Sequence, residues 1–151
     1  MPPLLKLPDE AAYRAHYERA LCRAGIFTHD GIPVFFRREA FDHAFFESST
    51  RRGENDVFSL VRAERMDWIA AALADPGAQR FQGWLKRERR HDPTRRVTVV
   101  MGDFVVIIAL GKRRDGRLKA NFITCYRADN SIRRILQAPV WTREDCLNAL
   151  C

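Results

Sequence analysis

The chain has 151 residues, 46% hydrophobic and 30% charged, with 26 Lys/Arg against 19 Asp/Glu and a net charge of +7. This length and composition predict one domain over 1–151 with a true apolar core, and they exclude a disordered chain. No apolar run reaches the roughly 18 residues that span a bilayer, and the proline-broken start Met1-Pro-Pro-Leu-Leu-Lys-Leu-Pro8 is too short for a secretion signal, so a cytoplasmic protein with no membrane partner is expected.

In chain order, Asp9 is a candidate N-cap and Gly25 a stop, which predicts a helix over 11–24 with Tyr13, Tyr17, Ala20 and Leu21 on one face. Residues 31–38 read as a short extended piece. Residues 38–47 read as a second helix carrying Phe41, Phe45 and Phe46, and 48–55 as a polar, glycine-bearing loop. A third helix is predicted over 58–74, stopped by Asp75-Pro76-Gly77. The chain then changes character. Residues 80–86 read as a short strand, 95–101 as a valine-rich strand, 104–110 as a strand apolar on both faces, and 117–127 as another strand. Turns fall at Gly102-Asp103 and over 111–116. Asp129 or Asn130 caps a short helix through Gln137, and Thr142-Arg-Glu-Asp145 opens a last one. Helices followed by an antiparallel meander make an α+β layout.

The charge is not spread evenly. Residues 86–119 hold eleven Lys/Arg and four acids, a surplus equal to the whole net charge of the chain. A basic rim around a sheet suits a polyanion, most often nucleic acid, although basic loops also serve only solubility. The cysteines Cys22, Cys125, Cys146 and Cys151 form no CxxC pair and no metal spacing. They read as reduced thiols, with Cys22 and Cys125 in the core and Cys151 at a frayed end, and no metal or cofactor is expected.

Three places are candidates for chemistry. His43 lies between Glu39 and Glu47 at i−4 and i+4; flanking carboxylates favour an imidazolium, which suits either a proton-transfer group or a solvated surface pair. Arg62 and Arg65 fall inside the apolar arc of the third helix, where a guanidinium needs a buried carboxylate or a bound phosphate. On the last long strand a period of two groups Leu118, Ala120, Phe122, Thr124 and Tyr126 on one face. Thr124 and Tyr126 then offer two hydroxyls on one side, as groups for a phosphodiester or simply as good strand formers. GxSxG, Walker and GxGxxG patterns are absent.

Phe41-Asp-His43, Arg62-Ala-Glu-Arg-Met-Asp-Trp-Ile69, Gly83-Trp84, Arg95-Arg96 opening a strand and Phe122-Ile-Thr-Cys-Tyr126 occur in that order. Over about residues 33–141 the chain resembles the phage and prophage members of the barnase, EndoU, colicin and RelE-like (BECR) ribonucleases. The resemblance implies N-terminal helices packed on a four-stranded antiparallel sheet with short C-terminal helices. It implies metal-independent RNA cleavage by 2′-OH attack, leaving a 2′,3′-cyclic phosphate, in a prophage toxin or effector with RNA and an immunity or antitoxin protein as partners. Carried over by position, His43 is the acid/base, Thr124 and Tyr126 orient or protonate the phosphate, and Arg65 stabilises the phosphorane with Arg62 or Arg96. Lys112, Arg113, Arg114 and Lys119 join Arg62 and Arg96 as substrate-binding cations. A second histidine would have to be His91 or His29. The alternatives are a non-catalytic nucleic-acid-binding module and a phage assembly protein with a degenerate nuclease fold.

Overall fold

Asp9 opens the first helix as its position predicts: its backbone is extended and its carboxylate accepts the amide of Ala12 at 2.8 Å, which satisfies one of the free amides of the first turn. The computed structural model describes residues 1–49 and 55–150. Most of the expected polar loop over 48–55, and the terminal Cys151, lie outside the described residues. Helix α1 (Glu10–Tyr17) continues into one π-helical segment (Glu18–Cys22), and Tyr13, Tyr17 and Leu21 are buried along the expected face.

Strands β1 (Ile26–Phe27) and β2 (Pro33–Phe35) pair antiparallel. The expected helix over 38–47 is shorter than its pattern. A 3-10 turn (Arg38–Ala40) leads into α2 (Phe41–Ala44), and β3 (Phe46–Ser48) pairs with β4 (Asn55–Phe58). The helix expected over 58–74 is two: α3 (Leu60–Ala63), capped by the Ser59 hydroxyl, and α4 (Met66–Ala74). Phe58 goes to β4, and the chain breaks at Glu64-Arg65, where Arg65 leaves helical geometry. The competing strand pair and the Ser59 cap outweigh a continuous apolar period there.

Strands β5 (Gln79–Leu85), β6 (Arg90–Met101), β7 (Phe104–Lys112) and β8 (Leu118–Arg127) form the expected antiparallel meander. The sheet is nevertheless six-stranded and mixed, in the order β1-β2-β8-β7-β6-β5, because β2 adds parallel to β8. The fold is α+β, and the four-stranded, purely antiparallel sheet is corrected to this wider one. Helices α5 (Ile132–Leu136) and α6 (Arg143–Leu150) end the fold, the latter held by the amide of Asp145 on the Thr142 hydroxyl at 3.1 Å. Cys22, Cys125 and Cys146 are free thiols, the last two buried.

The N-terminal layer is stapled to the sheet by aromatic rings. Tyr17 sits against Phe36, Phe41 and Phe45 at centroid distances of 6.3, 5.6 and 5.7 Å, and its hydroxyl donates to the Arg37 carbonyl at 2.6 Å. Phe36 in turn stacks on Phe122 of β8 at 4.9 Å. Offset and edge geometries of this kind add to the area that the rings bury.

Two irregularities shape the other face of the sheet. Between Gln82 and Gly83 the β5–β6 register jumps, so that Gln82 faces Val97 while Gly83 faces Asp92. Gly83 lies so close to β6 that a Cβ there would fall 2.5 Å from that of Arg96. The second is a bulge on β8: Ile107 pairs with Thr124, but Ile108 pairs with Phe122, leaving Ile123 extra. Gly83→Ala must therefore push β5 and β6 apart. We expect it to lower stability by at least about 1 kcal/mol in chemical denaturation, whereas Gly77→Ala, in an exposed turn, changes it by less.

Candidate functional site

The helix-covered side of the sheet takes Val97, Val99, Val106, Ile108, Leu118, Ala120, Phe122 and Cys125 into the main core. The opposite side carries a smaller cluster of Phe81, Val100, Val105 and Ala128, joined by Ile107 and Tyr126 and roofed by Ile132 and Ile135 around α5. That roof covers only the end of the sheet near the Gly102-Asp103 turn. Beyond it the face opens into a groove of about 1190 Å³.

The floor of the groove is apolar, with Ile107 and Ala109 beside Tyr126. Its walls are basic: Lys86, Arg87, Arg95, Arg96 and Arg134 line it, with Glu88 as the one acid. Glu88 is engaged by Arg95 at 3.1 Å, so most of the positive charge is left without an acidic partner in the groove. Trp84, 51% exposed, projects at its rim with its ring edge-on to His91 at 5.1 Å. Burial pushes the Tyr126 phenol above its ordinary value, with the charge of Arg62 pulling the other way; the hydroxyl stays protonated at neutral pH and is a hydrogen-bond donor at the floor.

The bulge at Ile123 corrects the face assignment of β8. Leu118, Ala120 and Phe122 face the helices, whereas Thr124 and Tyr126 stand opposite Ile107 and Val105 on the open side. A one-residue insertion inverts every later side chain on a strand, and an uninterrupted period of two cannot register it. Arg96 lines the groove, and Lys112, Arg113 and Arg114 are exposed around the β7–β8 turn.

The remaining expected residues belong to the helical layer. His43 is exposed on α2, whose Phe41 and Ala44 are buried in the main core. Arg65 donates to the Val61 carbonyl at 2.8 Å and lies over the Trp68 ring at 5.1 Å. Arg62 donates to the carbonyls of Ala44 and Phe46, both at 3.2 Å, and its Nε lies 3.4 Å from Glu47. The carboxylate beside Arg62 is thus the half-exposed Glu47 and not the buried one expected. The Nε atoms of both arginines are buried without a hydrogen-bond partner among the described residues. The expected set is thus divided, with His43 and Arg65 on the helical side and Thr124, Tyr126 and Arg96 on the open face. Arg62 belongs to the helical side as well, bonded to Ala44 and Phe46.

Residues that the sequence did not single out as binding groups complete the groove: Trp84, Lys86, Arg87 and Arg134. A tryptophan two residues before Lys86-Arg87 was a visible signal; Arg134 had none, because only the packing of α5 brings it to the sheet. No family model, curated protein or solved structure matches the chain.

Between His91 and Arg95 of the groove, β6 carries a buried acid, Asp92. Its buried carboxylate accepts the amide and the hydroxyl of Thr94, at 2.7 and 2.5 Å, and pairs with Arg90 at 3.0 Å. The Thr94 hydroxyl above all, against the cost of burial, and then the Thr94 amide and the charges of Arg90 and Arg95 hold it below the ordinary carboxylate range. A depressed folded-state pKa stabilises above the unfolded value near 3.9 and is lost as pH falls through the folded one. We expect Asp92→Ala to cost about 2 kcal/mol or more at pH 7, and the gap from the native chain to narrow below about pH 4, as read by denaturant unfolding at both pH values.

Proposed function

We propose that the chain is a ribonuclease that holds a single RNA strand in the groove on the open face of its sheet. The observation that carries this reading is the groove itself, with five cations, one already paired acid, an exposed tryptophan and a half-buried neutral phenol at the floor. Cations supply the sequence-independent grip on phosphates, and an exposed ring supplies a face on which a base stacks. The resemblance to BECR ribonucleases supports cleavage in particular.

In the reaction the ribose 2′-oxygen attacks the adjacent phosphorus and loses its proton to a base. The bond to the 5′-oxygen breaks, that oxygen takes up a proton, and a 2′,3′-cyclic phosphate remains. In this reading Tyr126 donates a proton or a hydrogen bond to the phosphate, and Arg96 favours the added negative charge of the phosphorane. His43 is the base implied by the resemblance. Its place in the helical layer favours a second reading, a binding module that grips RNA without cutting it.

Incubation of the protein with total RNA in EDTA, followed by end-group analysis, separates the two. Cleavage should leave cyclic phosphate ends, and Tyr126→Phe should slow it by about 10²-fold or more while leaving RNA binding intact. Arg96→Glu with Arg87→Glu should weaken binding and cleavage together. If five cations engage phosphates, log K should fall with log salt at a slope near about −3.5. Salt-sensitive binding with intact RNA would leave only the binding reading, and absence of both binding and cleavage would sink the proposal.

A further inference from the structure

The open face does not end at the groove. Ala109 of β7 lines the groove and pairs with Asn121 of β8, which pairs with Phe35 of β2. Val34, the residue before Phe35, is buried in the helix-covered core, so Phe35 points to the open side. There it is 52% exposed, and Phe27, opposite Pro33 on β1, is 54% exposed on the same side. Lys119 shares this face, with its methylenes laid over Gly111, where a Cβ would lie 3.3 Å from them. Phe35, Lys119, Arg113 and Arg114 border a shallow hollow of about 420 Å³ in which Asp115 is the acid. Asp115 already receives the amide of Arg117 at 3.0 Å and lies 3.9 Å from its guanidinium. The hollow therefore repeats the chemistry of the groove, an exposed ring among three cations and one acid that already bonds Arg117.

We infer that Phe35 is a second base-stacking subsite, and that one nucleic-acid strand crosses the sheet from Trp84 to Phe35. The inference rests on the groove being an RNA site. From β2 to β5 the strand order has four steps of about 4.8 Å, which sets the subsites about 19 Å apart. At the roughly 3.4 Å spacing of stacked nucleotides that is about five or six residues, and fewer if the strand is extended. A trinucleotide then fills one subsite, and an octanucleotide reaches both. Apolar rings left half in water beside a surplus of cations are well matched to bases and phosphates and poorly matched to an aliphatic partner.

The test uses oligonucleotides of 2′-O-methyl uridine, three and eight residues long, which cannot undergo 2′-OH attack. Binding is followed by tryptophan fluorescence and by anisotropy. Trp84 should dominate the quenching, since Trp141 is buried and both Trp68 and Trp141 donate their indole N–H within the protein. Phe35→Ala should weaken the octamer by about fivefold or more, the low end for one stacked base, with the trimer unchanged. Lys119→Glu should do the same, and Phe35→Trp should restore octamer affinity. Equal binding of the octamer by Phe35→Ala and the native chain overturns the second subsite. If Trp84→Ala and Arg96→Glu still weaken binding in that case, the groove stands and only its extension falls. If those variants are also without effect, the groove reading fails first.

Discussion

Strands β6 and β7 carry apolar side chains on both faces, and the helices at hand cover one face fully and the other at one end only. Val97, Val99, Val106 and Ile108 meet the N-terminal layer, while Val100, Val105 and Ile107 meet little more than α5. Burial of each such side chain contributes on the order of 1.5–3 kcal/mol, so the first face accounts for most of the stability. The second is where a short roof ends and a groove begins. Much else on that face follows from this asymmetry: the apolar floor, the exposed rings and the cations gathered around them.

The covered face depends in turn on rings more than on helices. α2 and α3 are four residues each, too short to be stable alone. They are held because Tyr17, Phe36, Phe41, Phe45 and Phe122 interlock, and because Arg62 ties the Ala44 and Phe46 carbonyls to α3. In this setting Arg62 and Arg65 act as ties within the helical layer. Their buried Nε atoms make no hydrogen bond among the described residues, a cost the surrounding packing must offset.

On the open face the charges do the reverse of tying. Surface pairs such as Arg95 with Glu88 are worth little to stability, and like charges gathered around one groove repel one another. Asp92, buried and bonded to Thr94 and Arg90, fixes the turn of β6 between His91 and Arg95 of the groove. A polyanion bound there, as proposed, would relieve this repulsion.

The elements written in local spacing are legible in the chain. The Asp9 and Thr142 caps, the turn at Gly102-Asp103, the meander and the two-faced apolar character of β7 each depend on hydrogen bonds or alternation within a few residues. The α+β class and the basic character of one region are legible for the same reason. What stayed hidden needed a partner distant in sequence. Ile123 bulges because β7 dictates the register, and this moves Thr124 and Tyr126 to the open face. Phe46 and Phe58 leave their helical patterns because they pair with each other across strands. β2 joins β8, and that places Phe35 on the same face as the groove. Residue order by itself determined that this protein carries concentrated positive charge beside a sheet. Only tertiary pairing decided which side chains share that charge's face, since one inserted residue or one added strand reverses or extends a face without altering any local pattern.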